Sequence, residues 1–174
     1  HAPEIARRIV PGQFLMLRLA GMNDPLIGRP LALYDTVLNS SGRLEAVDVV
    51  YLVKGKFTSR LRQARSGQMI DVWGPLGNGF EHSPPAADHL IMVAGGIGQT
   101  PFLSLAQEAL GFKQYGDPSR TVPQATRVTF CYGARSAEFI ATSDFEKYCP
   151  DIRLATDDGS RGHHGLVTDL LKQV

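Results

Sequence analysis

Only two cysteines and one tryptophan occur among the 174 residues, and no run of like charge or of unbroken hydrophobicity accompanies them. Each shortage removes a class of function. Cys131 lies inside the apolar run Val128-Thr129-Phe130-Cys131-Tyr132 and Cys149 precedes Pro150, a spacing that makes neither a disulfide framework nor a metal knuckle. Two buried, inert thiols are expected. A helix needs about 20 apolar residues to cross a bilayer, and no stretch reaches that length. The 18 Lys and Arg against 17 Asp and Glu leave a formal net charge of +1, with no basic block interleaved with aromatics. Nothing in this pattern implies nucleic acid or an anionic membrane surface. The opening His1-Ala2-Pro3-Glu4 is no signal peptide, so a cytoplasmic protein is the expectation. Nucleophile elbows, paired carboxylates with a base and zinc-type spacings are all missing. His163 and His164 are adjacent, so in an extended loop they point opposite ways, and no third ligand stands at a suitable spacing. No metal site is expected.

What is present is a glycine turn in a telling place. Gly95-Gly96-Ile97-Gly98-Gln99-Thr100-Pro101 follows the apolar run His89-Leu90-Ile91-Met92-Val93-Ala94 and opens an apolar-periodic segment from Phe102 to Leu110. The order reads as strand, turn, helix. A buried strand brings the chain to a sheet's carboxyl edge, glycines allow backbone to approach a ligand, and the helix N-terminus favours an anion. Thr100 suits the N-cap and Pro101 the first helical position. A tight structural turn would have the same composition, so the signal needs company.

The chain divides by pattern. A hydrophobic content of 43% is ample for folded cores, in one large domain or two small ones. Up to about residue 80 there are short strands and turns, with strands expected at 14–19, 30–34, 44–53 and 69–73 and a short helix from Thr58 to Gly67. This half, residues 1–83, reads as a small antiparallel β-barrel. Glu81 to Asp88, with Ser83-Pro84-Pro85, reads as a linker. Residues 88–174 then alternate: strand 89–94, helix 101–111, strand 126–132, helix near 136–148, strand 152–156 and a helix from about 167. Such alternation argues an α/β domain with a parallel sheet, with Gly111 to Gln124 an exposed connection. The first residue is not Met and the last segment reads as a helix cut near its start, so a fragment of a longer chain is expected.

Barrel followed by glycine-turn α/β domain is the order of the ferredoxin-reductase-like flavoproteins, and several motifs resemble that family over nearly the whole chain. Arg29-Pro30-Leu31-Ala32 looks like its flavin-binding Arg-x-(aromatic or apolar)-Ser motif. Gly74-Pro75-Leu76-Gly77-Asn78-Gly79-Phe80 is the most specific run. Tyr132-Gly133-Ala134-Arg135-Ser136 and Thr156-Asp157-Asp158-Gly159-Ser160 look like later landmarks. With Ala2-Pro3-Glu4-Ile5-Ala6 near the start and Gly165-Leu166-Val167-Thr168-Asp169 near the end, these runs are similar to the electron-transfer subunits of NAD-linked, heteromeric dihydroorotate dehydrogenases. The resemblance implies an oxidoreductase of pyrimidine biosynthesis that binds FAD in the barrel and exchanges electrons with NAD(H). It also implies a 2Fe-2S cluster, whose cysteines would lie beyond Val174, and a partner subunit holding FMN and the pyrimidine. Reductase subunits of hydrogenase or ferredoxin complexes share the architecture, and a nucleotide-binding module that has lost flavin is the alternative of another class.

The resemblance implies roles residue by residue. Arg29 would hold the FAD pyrophosphate, because a guanidinium makes charge-assisted bonds to phosphate. Pro30, Leu31 and Ala32 would line the flavin, and here an aliphatic and a methyl stand where relatives offer a ring and a hydroxyl. Tyr34 would stack on flavin or belong to the core. Gly55, Phe57 and Thr58 occupy the place of a Gly-x-Gly-Thr phosphate turn, with Thr58 at the helix start. Gly95, Gly96, Gly98 and Thr100 would approach NAD(H). Arg135 would meet phosphate or ribose, and Asp157 or Asp158 would accept from ribose hydroxyls and disfavour a 2′-phosphate.

Overall fold

A computed structural model of the chain describes residues 1–81 and 88–174. The expected linker therefore has its centre, residues 82–87, outside the described residues. The first half is built on β1 (Phe14–Leu19), whose strict alternation buries Leu15, Leu17 and Leu19 on one face. β1 is the middle strand of an antiparallel sheet, between β2 (Arg29–Ala32) and, later in the chain, Ile70–Leu76. Pro30 and Pro75 cannot donate to a ladder, and both lie in edge strands, where that loss is tolerated. β3 (Asp35–Leu38) and β4 (Leu44–Asp48) form a separate antiparallel pair. The expected barrel is thus two antiparallel sheets around one core, with no closed ladder among the described residues.

Three details differ from the sequence reading. β4 stops at Asp48, so residues 49–53 leave the sheet instead of prolonging it. A helix, α1 (Pro3–Arg8), packs on β4 with Ala6 buried. Its signals were present: Pro3 in the first turn, Glu4 at the positive end of the dipole and Arg7 and Arg8 at the negative end. The short helix α2 (Lys56–Leu61) begins two residues before Thr58, with Gly55 as its N-cap, and ends six residues before Gly67. Ile70–Leu76 is β5. The run Gly74 to Phe80 then knits onto the turn at Pro11-Gly12-Gln13: Phe80 N–H donates to Pro11 O, and Gln13 Nε2 donates to Gly77 O at 2.8 Å. A Cβ on Gly12 would stand 2.6 Å from Phe80 N, so the most family-specific run serves packing.

The second half is a four-stranded parallel sheet in the order β6 (His89–Gly95), β7 (Arg127–Ala134), β8 (Asp151–Thr156), β9 (His163–His164). β7 is buried from Val128 through Ala134, as a central parallel strand covered on both faces must be. Phe130 and Tyr132 face α3 (Phe102–Ala109), and Cys131 faces Leu170 on the other side. Both cysteines are buried and unpaired, and burial pushes the Cys149 thiol up to about 11. The helix expected near 136–148 does not form. A single 3-10 turn spans Ala137–Phe139, and Thr142 to Cys149 makes turns that bury Phe145. Thr142, Ser143 and Asp144 are turn and cap residues in the middle of that window, and they break it into pieces too short to nucleate. Val167–Gln173 is likewise 3-10, covering the sheet's second face through Leu170.

The connection 111–124 is not a loose exposed one. Tyr115 is buried in the core of the first half. Asp35 accepts hydrogen bonds from Lys113 Nζ at 2.5 Å, Tyr115 OH at 2.8 Å and Gln107 Nε2 at 3.0 Å. Arg120 bonds the buried Glu108 through two nitrogens and Phe80 O through a third. Tyr34 donates to Asp144 at 2.8 Å and packs against the second half's core, so it ties the halves together.

Candidate functional site

Two cavities open along the seam between β2, the segment 50–58 and the carboxyl edge of the parallel sheet. The first, about 360 Å³, is walled by Arg29, Pro30 and Leu31 of β2 and by Gly55, Phe57 and Thr58 around the start of α2. Six of the residues singled out from sequence therefore meet at one place. Lys54 and Lys56 flank Gly55 and add positive charge, and no carboxylate lines the cavity. Lys56 is ion-paired with Asp24 at 3.0 Å. Arg29 is exposed, and its Nη1 donates to Ile27 O at 2.9 Å and Gly28 O at 3.2 Å. These bonds orient the guanidinium, and among the described residues its other donors have no partner.

Thr58 caps its own turn. As third residue of α2, its hydroxyl accepts from the N–H groups of Lys54 and Gly55 and donates to Gly55 O. It shapes the turn. Phe57 is 3% exposed and belongs to the first half's core, so its phenyl ring turns inward and leaves the cavity open. Ala32, last residue of β2, stands beside the cavity without lining it.

The second cavity, about 380 Å³, meets the first at Leu52, which lines both. Gly96, Ile97 and Gln99 of the glycine turn form one wall and Tyr132, Ala134 and Arg135 at the end of β7 another. Val50, Leu52, Phe139 and Ala141 make it mostly apolar. Tyr132 OH donates to Phe139 O at 3.1 Å, and burial pushes its phenol above the usual range. It stays a neutral donor. The turn itself is a 3-10 helix, Gly96–Gln99, rather than the direct start of α3. Thr100 is helical and buried with Pro101 at the N-cap position, so Thr100 is not the cap and does not line the cavity.

The glycines discriminate packing from ligand approach. A Cβ at Gly28 would stand 2.6 Å from Trp73 Cη2, at Gly133 2.7 Å from Val167 Cβ, and at Gly162 2.2 Å from Leu154 O. Those glycines are required by the protein itself. At Gly55, Gly95 and Gly98 the backbone is not left-handed and nothing lies within 4 Å of the added Cβ. Gly55 lines the first cavity, and Gly95 and Gly98, though not on the wall of the second, adjoin Gly96 and Gln99, which are. Gly96, by contrast, needs glycine for its φ of +52°.

Asp157 and Asp158 follow β8 at the same sheet edge, where their N–H groups donate to Ala134 O at 3.1 Å and Arg135 O at 3.3 Å. Neither lines the cavity. Asp158 is committed to its own turn, accepting from Ser160 N–H at 2.9 Å and from Ser160 Oγ at 2.6 Å, which holds its carboxyl below the usual range. The carboxylate of Asp157 has no hydrogen-bond partner among the described residues. Sequence reasoning missed Leu52, Lys54, Lys56 and Gln99. Lysines on both sides of Gly55 were a legible signal, whereas Leu52 enters only because β4 ends early.

Residues 2–81 match the oxidoreductase FAD-binding domain family. The electron transfer subunit of dihydroorotate dehydrogenase B (NAD⁺) from Desulforamulus reducens is 36% identical over 99% of this chain and 60% of its own length. The probable counterpart from Pyrococcus abyssi is 36% identical over 93% of this chain and 53% of its own. A solved NADH-dependent reduced ferredoxin-NADP oxidoreductase superposes with a TM-score of 0.74 at 30% identity, over 99% of this chain and 55% of that one. Over nearly its whole length the chain is similar to these electron transfer subunits and to this oxidoreductase. It spans little more than half the length of these relatives. For an oxidoreductase with an FAD-binding domain the cleft is chemically apt. Its cationic end suits a pyrophosphate, and its apolar end, rimmed by glycines with open space, suits stacked planar rings.

Proposed function

We propose that the chain is the FAD- and NAD(H)-binding part of an electron-transfer subunit, working with an FMN-containing dihydroorotate dehydrogenase subunit in pyrimidine biosynthesis. The observation that carries this reading is the pair of cavities joined at Leu52, one cationic and one apolar. Residues 1–83 would form the flavin domain and 88–174 the nucleotide domain. Flavin, when bound, supplies the link between two-electron hydride chemistry and one-electron carriers. The chain's own residues position and exclude. Arg29 and Lys54 neutralise the pyrophosphate, with the N–H groups of the Gly55 turn beside them. Leu31 and Leu52 cover ring surface and keep water from it. Gly95 and Gly98 admit the nicotinamide nucleotide, Arg135 meets its phosphate or ribose, and Asp157 accepts from ribose hydroxyls and repels a 2′-phosphate. Among the described residues the second cavity is lined by no carboxylate or histidine, its ionisable groups being Tyr51, Tyr132 and Arg135, as suits transfer without a proton relay.

The subunit assignment is tested by purifying the intact protein with the dehydrogenase subunit. Acid should release FAD from this protein and FMN from its partner, and dihydroorotate should reduce the FAD only in the complex. Reduction by ferredoxin instead, with no response to dihydroorotate, would favour the second reading, a ferredoxin-linked reductase, to which the 30% identity with the solved oxidoreductase lends weight.

A further inference from the structure

Gln99 is 3% exposed, and its Oε1 accepts no hydrogen bond among the described residues although it is buried. It lies on the wall of the second cavity, at the end of the 3-10 turn. Around it the lining is largely hydrocarbon: Val50, Leu52, Ile97, Ala134 and Phe139. Of the polar residues that share this lining, Tyr132 already gives its proton to Phe139 O, and neither Tyr51 nor Arg135 donates to Gln99 Oε1. A buried amide without a partner is costly, and an apolar residue of the same size would fill the place without that cost. The cost is recovered when a ligand brings an N–H to the orphan oxygen.

We infer that Gln99 recognises the carboxamide of the nicotinamide ring, accepting its N–H at Oε1, and so fixes which way the ring lies in the cavity. A primary amide on a flat apolar ring is the ligand chemistry that fits, because the cavity offers hydrocarbon to the ring and one unpaired acceptor to the substituent. Gln99 is thus a positioning residue, and the inference rests on the proposed nucleotide site.

The experiment titrates the intact protein with NAD⁺, with ADP-ribose, which lacks the nicotinamide, and with the acetylpyridine analogue of NAD⁺, in which a methyl ketone replaces the carboxamide. Wild type should bind NAD⁺ about tenfold tighter than the acetylpyridine analogue, the worth of one neutral hydrogen bond to a buried acceptor. Gln99→Leu should bring that ratio close to one and leave ADP-ribose affinity unchanged. Failure of wild type to bind ADP-ribose would remove the nucleotide site and this inference with it. ADP-ribose binding without any wild-type preference for NAD⁺ over the analogue would overturn the role of Gln99 alone, whatever the variant does. Should Gln99→Leu fold poorly, Gln99→Met carries the same expectation. A preference that survives in the variant, with flavin retention lost instead, would mean that Gln99 faces the flavin and would refute the proposal.

Discussion

Adding one methyl group at four glycines separates the protein's own needs from those of its ligand. At Gly162, Ala would hold a left-handed φ of +73° with its Cβ 2.2 Å from Leu154 O, a backbone atom that cannot yield. A left-handed Ala costs about 1–2 kcal/mol and the overpacking about 1–3 more. At Gly133 the Cβ meets Val167 Cβ at 2.7 Å with ordinary φ, so only the overpacking cost, about 1–3 kcal/mol, applies. Gly95 and Gly98 have open space and no left-handed φ, so Ala there should stabilise the ligand-free fold by about 0.4–1 kcal/mol through the unfolded chain. In a domain of this size 1 kcal/mol moves Tm by roughly 2–4 °C. Nucleotide affinity should move the opposite way. A methyl in the path of close approach costs about 1–3 kcal/mol, or roughly 5- to 150-fold. Thermal melts of ligand-free protein and titration with ADP-ribose read both quantities. Gly95→Ala and Gly98→Ala binding as tightly as wild type would refute the argument that the empty space belongs to a ligand.

Arg29→Ala should weaken FAD binding by about 1.5–3 kcal/mol, the worth of charge-assisted bonds to phosphate. Apo stability should barely change, because Arg29 is exposed and its protein partners are two carbonyls of its own loop; a large loss in the apo melt would make it structural. Asp157→Asn should raise the affinity for NADPH relative to NADH, whereas Asp158→Asn, whose carboxylate is held by Ser160, should leave that ratio alone; the reverse outcome would exchange their roles. Arg153, then Thr129 and Arg127, hold the Asp151 carboxyl well below its ordinary 3.8. Its folded value is depressed, so its contribution is present above the unfolded value and is lost as pH falls through the folded one. Urea unfolding from pH 5 downward should show a loss of stability that Asp151→Asn reduces, and equal acid slopes in the two proteins would contradict it.

The parts of the molecule legible in sequence were those whose signal is local and redundant. The strand, glycine turn and helix from His89 to Ala109 announce themselves through apolar run, glycines and proline together. Arg29 to Leu31 and Gly55 to Thr58 were recognisable as motifs, and the structure brings them to one cavity. What was not legible depends on tertiary contact. Phe57 departs from the Gly-x-Gly-Thr pattern, and only the folded core shows where its ring goes. The Thr58 hydroxyl serves the backbone of its own turn, which its helix-start position conceals. Residues 142–149 have enough apolar periodicity to suggest a helix, yet side-chain caps in mid-segment and burial of Phe145 hold them in turns. Gln99 carries no sequence signal, because only the folded cavity makes its amide buried and unpaired.

The central claim is that one cleft seats a flavin at its cationic end with a nicotinamide against it. It is tested most directly by the visible absorbance of the intact purified protein, followed after anaerobic addition of NADH. The account predicts a yellow protein that NADH bleaches rapidly, with NADPH much slower. A colourless protein that takes up no FAD, or a yellow one that NADH leaves unbleached, would contradict it.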